Sequence, residues 1–225
     1  MSDNTDERVI MYATLNEYHK IDTIFKRDQK GNLLTGQYSC PEFEYLKDNL
    51  WFFTEKVDGT NVRVMWDGAA LRFGGKTDNA QMPVVLMEKL QQLFSAERMA
   101  EVFVKQQPDE ILEVCLYGEG YGAKIQKGGG NYIPNNVNFV LFDVKAGRWW
   151  LTREAIDEIA EKLTLRVVPT IGSGTLADAV KMAQDGFTSR WGDFLAEGIV
   201  LRPSVELFGR AGQRIITKIK HRDFK

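Results

Sequence analysis

The sequence predicts an α+β fold with antiparallel sheets and flanking helices. Three observations predict it. Short apolar runs are joined by tight turns, helical periodicity is clustered between them, and the regular strand–helix alternation of a doubly wound sheet is missing. Trp51–Lys56 and Thr60–Trp66 read as strands, with Asp67-Gly68 as a hairpin turn and Ala70–Phe73 returning. Val85, Leu86, Leu90 and Leu93 recur at helical spacing over Val84–Phe94, and Ala96–Lys105 reads as a second helix. Ile111–Tyr117 reads as a strand. Asn138–Lys145 and Trp149–Leu151 form a hairpin around Ala146-Gly147. Thr152 caps a helix whose apolar stripe is Ala155, Ile156, Ile159, Ala160 and Leu163. Leu176–Gln184 is a shorter helix, and Ile199–Arg202 and Arg214–Lys220 are strands.

No repeat or linker divides the 225 residues, so a single domain over 1–225 is expected, with residues 1–50 as a leader packed on it. The net charge of −2 argues against coating nucleic acid by bulk charge and leaves room for a local basic groove. From Leu201 to Lys225 there are seven Lys/Arg against two Asp/Glu, either a solvated basic end or a phosphate-binding wall. Two distant cysteines and two histidines make a structural zinc site a poor expectation. The start MSDNTDER has no apolar signal core, and no run of about 18 apolar residues occurs. A cytoplasmic, monomeric protein without a membrane partner is the expectation, its source extending to a phage or virus.

Lys56-Val57-Asp58-Gly59 interrupts an apolar sheet with a lysine. An amine enclosed by apolar strand is desolvated, which favours the neutral form needed of a nucleophile. Gly59 removes a side chain where a ligand can approach the backbone. An edge-strand lysine before an Asp-Gly turn explains the same four residues without chemistry. Four further stretches follow in order: Tyr117-Gly118-Glu119-Gly120, Asn138 to Asp143 ending in Phe142-Asp143, Glu197-Gly198-Ile199-Val200-Leu201-Arg202, and Thr217-Lys218-Ile219-Lys220. Lys218 and Lys220 share one strand face. Each stretch has a plain structural reading as loop charge, core, cap or solvated face. Their common order and spacing tell against all of these holding together.

This order resembles the covalent nucleotidyltransferases, the ATP-dependent ligases and GTP-dependent capping enzymes, whose adenylation domain is ATP-grasp-like. It matches their motifs I (KVDG), III (YGEG), IIIa (FVLFDV), IV (EGIVLR) and V (KIK) from Lys56 to Lys220. Thr60 and Asn61 after the motif I glycine, the extension Tyr121 to Gly128 and the ending Lys220-His221-Arg222-Asp223-Phe224 look like the phage-type RNA ligases. The resemblance implies an ATP-dependent RNA ligase joining 5′-phosphate and 3′-hydroxyl ends of nicked duplex or single-stranded RNA. It implies Lys56 as the nucleophile that takes AMP from ATP, with Lys218 and Lys220 facing the α-phosphate. Glu119 would hold the ribose, and Phe142 and Val200 the adenine. Glu197 and Asp143 would hold Mg²⁺ or Mn²⁺. Glu55, Asp58, Gly59, Thr60 and Asn61 belong to the same nucleotide pocket.

Two departures stand out. Phage-type members carry an arginine about twenty residues past the nucleophile, where this chain has Lys76, with Arg63 or Arg72 as substitutes. Lys124 and Lys127 are candidate phosphate contacts. The chain also ends five residues after Lys220, without the C-terminal OB-fold that many ligases carry. The alternatives are a minimal DNA ligase, a capping guanylyltransferase, or a module that binds nucleotide or RNA ends without sealing.

Overall fold

The computed structural model describes residues 17–103 and 113–225. In chain order the described elements begin with strands β1 (Asp22–Thr23), β2 (Phe25–Arg27) and β3 (Leu33–Tyr38), helix α1 (Pro41–Tyr45) and β4 (Trp51–Glu55). There follow β5 (Thr60–Trp66), β6 (Leu71–Gly74), helices α2 (Val84–Leu93) and α3 (Ala96–Phe103), β7 (Val114–Gly122), β8 (Val137–Ala146) and β9 (Trp149–Trp150). The rest are α4 (Arg153–Leu163), β10 (Arg166–Val167), β11 (Thr170–Gly174), α5 (Leu176–Asp185), β12 (Gly198–Pro203) and β13 (Thr217–Lys220), then a 3-10 turn over His221–Phe224. The chain divides into two compact units, one of Asp58–Val167 with Tyr18, the other of His19–Val57 with Val168–Lys225.

The first unit is built on a mainly antiparallel sheet in the order β10-β8-β7-β5-β6, with β9 beside β8. Apolar residues Val62, Val64, Leu116, Phe139 and Leu141 point into a core closed by Leu86, Leu90, Met99, Ile156 and Leu163 from the helices. Thr152 caps α4 by accepting from the Ala155 N–H, as its position before the apolar stripe predicts.

The second unit's sheet runs β1-β13-β12-β4-β11. Trp51 and Phe53 of β4 alternate inward, and with Ile199, Leu201 and Ile219 they pack on Leu176, Ala179 and Ala183 of α5. A full capping box between Thr175 and Asp178 starts that helix. Residues 22–45 are more than a leader. β1 joins the sheet edge parallel to β13, with Thr23 opposite Lys218, and β2 and β3 form a hairpin.

Several expected boundaries move. β4 ends at Glu55 rather than Lys56. β13 starts at Thr217 because Arg214 instead bridges to Phe208 and binds Glu206. β7 runs on through Gly118 and Gly120 to Gly122. Parts of three expectations lie outside the described residues: the leader over residues 1–16, the end of the helix to Lys105 and the strand start at Ile111. Among the described residues no helix is long and apolar enough to cross a membrane.

Candidate active site

Three strand ends in the second unit bring three charged side chains into a row. β12 lies between β4 and β13, and the register sets Ile199 opposite Glu55 and Gly198 opposite Lys220. The Lys56 N–H donates to the Gly198 carbonyl at 2.9 Å, extending the ladder one residue past β4. Glu197, just before β12, therefore falls between Lys56 and Lys220. Its Oε2 lies 2.7 Å from Lys56 Nζ and its Oε1 lies 2.6 Å from Lys220 Nζ. Gly198 permits the close pairing, since a Cβ there would strike the Ile219 carbonyl and the Lys220 Cα.

The three side chains are shielded but not sealed, with exposures of 20% for Lys56, 11% for Glu197 and 16% for Lys220. Burial pushes the Glu197 carboxyl up. The Lys56 charge and the hydrogen bonds from Lys220 and Lys56 outweigh it and hold the carboxyl below its usual range. The expectation of an amine in an apolar wall is corrected here: the Lys56 amine rests on a carboxylate, and that carboxylate is shared with the second cation. Lys218 lies on the same strand face as Lys220, opposite Val200 in register, and both are half-buried.

Glu55, one residue before the nucleophile candidate, has a different task. It is 1% exposed and accepts from the Ser189 hydroxyl and the Arg190 N–H. Burial raises its pKa, and those two hydrogen bonds only partly offset the shift. Its carboxylate is thus committed to the turn before β12.

The remaining predicted residues belong to the first unit. Asp58 and Gly59 form the turn into β5, with Thr60 opposite Gly120 and Asn61 opposite Glu119. A Cβ on Gly59 would meet the Gly120 carbonyl and the Glu119 side chain. The close approach expected of a ligand is therefore made by the chain's own β7. The Gly-rich extension and the turn after it close over these residues: the Asp58 N–H donates to the Tyr132 hydroxyl at 3.0 Å, and Gln126 Nε2 donates to the Gly59 carbonyl at 3.2 Å. Lys124 and Lys127 of that extension are exposed. The Asn61 Oδ1 is buried without a hydrogen-bond partner. Such a group costs about 1–3 kcal/mol and is unusual away from binding sites.

Glu119 lies inside β7 rather than at a strand end, and is half-buried. Phe142 is half-buried and meets the Tyr18 ring edge-on at 5.3 Å. Asp143 is wholly buried and accepts from the Tyr18 hydroxyl. Its carboxylate thus faces the Tyr18 hydroxyl rather than solvent. Among the described residues no group of three or more His, Cys, Asp or Glu could hold a metal ion. Glu197 alone supplies one hard oxygen ligand, which suits Mg²⁺-type ions only when substrate phosphates and water complete the shell.

Lys76 is exposed in the loop after β6. Arg63 and Arg72 do not share one role as its substitutes. Arg72 is partly exposed and pairs with Asp67. Arg63 is wholly buried, donates to the Gly75 carbonyl at 2.7 Å and pairs with Asp78 at 2.6 Å. It thus fastens both sides of Lys76. Replacing Arg63 by methionine is expected to destabilise the first unit by about 1–3 kcal/mol and to speed amide hydrogen exchange over residues 75–80 above that of β5 and β7. Uniform exchange across the unit would contradict the anchoring role.

A family model described as RNA ligase matches residues 49–220. The chain belongs to the RNA ligase family. The match contains all three strand ends of the Lys56–Glu197–Lys220 row. No curated protein matches the chain. Among solved structures it is similar to Naegleria gruberi RNA ligase in several states. A lysine-to-alanine variant with ATP and Mn has a TM-score of 0.60 and 18% identity, over 92% of this chain and 58% of that one. A lysine-to-methionine variant with AMP and Mn has a TM-score of 0.62 and 17% identity, over 91% and 62%. The same ligase with PPi gives 0.60 and 18%, over 92% and 62%. At this identity the likeness is one of fold, and this member of the RNA ligase family spans about three fifths of those chains' length. Its α+β architecture with antiparallel sheets is theirs.

Sequence reasoning missed the Ser189–Glu55 and Tyr18–Asp143 bonds, which join residues 134 and 125 positions apart. It also missed the anchoring role of Arg63, because strand alternation with Val62 and Val64 on the core face puts Arg63 on the opposite face, and its partners Gly75 and Asp78 come from the loop after β6.

Proposed function

We propose that this protein is an ATP-dependent RNA ligase that works through a lysyl–AMP intermediate on Lys56. The observation that carries the reading is the Lys56–Glu197–Lys220 row, built from the three strand ends that the family motifs mark. The Naegleria ligase structures were determined with ATP, AMP, PPi and Mn, which supports the same substrate class here.

In the first step the Lys56 amine, its ammonium proton lost to solvent, forms a bond to the α-phosphorus while the bond to pyrophosphate breaks; pyrophosphate leaves as the anion and the nitrogen sheds a second proton to solvent. The carboxylate of Glu197 holds the amine in place beforehand, and its second oxygen holds Lys220 for the developing phosphoryl charge. AMP then passes from Lys56 to an RNA 5′-phosphate, and a 3′-hydroxyl displaces AMP to form the phosphodiester. These are attacks at phosphorus, for which positioning and charge neutralisation matter more than a histidine base. Glu197 is the residue that would hold Mg²⁺ or Mn²⁺, with phosphate oxygens completing the shell. When bound, the ion supplies charge neutralisation on the phosphates.

The test is the mass of the intact protein before and after incubation with ATP and Mg²⁺, followed by incubation with 5′-phosphorylated RNA. A gain of one AMP that RNA then removes supports the proposal. A protein that never gains AMP, and carries none as purified, overturns it. Sealing of RNA rather than DNA 3′-hydroxyl ends, with ATP rather than GTP, separates this reading from DNA ligase and capping activities. Adduct formation without sealing on nicked or single-stranded RNA would leave a nucleotide-charging module. Monomeric state and cytoplasmic location remain part of the same proposal.

A further inference from the structure

Among the described residues only two that are not glycine have a left-handed backbone, Thr164 with φ of 56° and Lys124 with φ of 66°. Thr164 is the C-cap of α4, where helices commonly end in that conformation. Lys124 ends no helix. It stands in the connection between β7 and β8, and its side chain lacks the short polar group that lets Asn and Asp visit this region at low cost. Two residues earlier the same connection meets a positive φ of 118° with a glycine, Gly122.

The turn imposes the pose on Lys124. The Ala123 N–H donates to the carbonyls of Ile133 and Asn136 at 3.1 and 2.9 Å, and the Ile125 N–H donates to the Gly122 carbonyl at 3.2 Å. Ile125 packs on the core of the first unit. The residues on both sides of Lys124 are therefore fixed, and glycine would fit the position with less strain. The chain instead keeps an exposed cationic side chain there, with Lys127 exposed three residues on. From Gly120 to Phe142 the sequence has no acidic residue. Bonds from Asp58 to Tyr132 and from Gln126 to Gly59 tie the connection down, so the cations stand on a fixed platform.

We infer that Lys124 is kept, against the preference of its own backbone, as a contact for a backbone phosphate of the RNA strand. The inference rests on the proposed ligase reading. A small nucleotide is gripped by enclosure, whereas a strand passing over a surface is held by exposed cations. The contact carries charge rather than base recognition: Tyr121 is buried, and Tyr132 is occupied by the Asp58 N–H and the Tyr121 ring.

Titration of the full chain, without ATP, with a fluorescent 5′-phosphorylated oligoribonucleotide over a range of salt tests it. Lys124→Gly is expected to weaken binding about three- to tenfold and to lower the salt slope by about one. Its Tm should stay level or rise by about 2–4 °C as the strain is released. Lys124→Ala removes the charge and keeps the strain, so it should lose the same affinity at a lower Tm than Lys124→Gly. Lys124→Arg, which keeps the charge on the same backbone, should bind as wild type does. Lys162→Ala, in the last turn of α4, is the charge control and should leave the slope alone. Wild-type affinity and slope in Lys124→Gly, an equal loss in Lys162→Ala, or no RNA binding by wild type overturns the inference. So does a Tm for Lys124→Gly below that of wild type, which would mean that the lysine is kept for the fold. Binding is read without ATP, so a protein that never gained AMP would sink the ligase reading and leave this comparison standing.

Discussion

Lys56→Ala is expected to abolish the AMP adduct, a loss of about 10⁴-fold or more, while leaving the fold intact. The charge balance explains why the two effects separate. The row holds two ammonium groups and one carboxylate. Removing Lys56 leaves Glu197 and Lys220 as a 1:1 pair at 2.6 Å. No buried charge is left alone, so the stability change should stay within about 1 kcal/mol, and the melting temperature within about 2–4 °C. Lys56→Arg sharpens the result. Arginine keeps the charge and can still bind Glu197, but its guanidinium does not deprotonate and is no nucleophile. It should therefore be as inactive as alanine. An adduct in either variant at the wild-type level would place the nucleophile elsewhere, with Lys220, on the other oxygen of Glu197, the first amine to test.

How far this site was legible in the sequence depends on the distance over which each partner acts. The β5–β6 and β8–β9 hairpins announce themselves through turns and alternation over a few residues. The strand expected to end at Tyr117 continues past Glu119, through Gly118 and Gly120. In the fold they keep the strand going: a Cβ on Gly118 would strike the Phe139 ring, and one on Gly120 the Leu86 side chain. β1 gave no local signal at all. It is two residues long and exists through pairing with a strand 195 positions away, Asp22 with Thr217. Lys56, Glu197 and Lys220 were legible as motif positions. Their arrangement was not, because it depends on the order β13-β12-β4, which no local pattern encodes. The expected apolar wall around Lys56 failed for that reason. Flanking apolar residues describe the strand's own neighbours, whereas the amine reaches sideways to the start of another strand.

Glu197→Ala is expected to be the most destabilising change in the row. It leaves the ammonium groups of Lys56 and Lys220 facing each other with no carboxylate between them. Breaking a fully buried pair costs about 3–5 kcal/mol. With side chains 11–20% exposed, water enters and about 2–4 kcal/mol is the better figure. The loss should fall on the second unit, read as accelerated hydrogen exchange in β4, β12 and β13 ahead of β5, β7 and β8. Acid should mimic it. The folded-state pKa of Glu197 is lowered below the 4.5 of the free group. Its contribution is therefore present above about pH 4.5 and lost as pH falls through the folded value. Glu55 runs the other way: its pKa is raised, so its contribution is full below 4.5 and lost as pH rises through the folded value. Subtracting the stability curve of Glu197→Gln from that of wild type cancels Glu55 and isolates the Glu197 limb. That difference should be largest at neutral pH and shrink towards zero in acid. Adding Lys220→Met to Glu197→Gln should then recover part of the neutral-pH loss by removing one stranded cation. A pH-independent difference, or no recovery in the double variant, would mean that the row is held by packing rather than by charge.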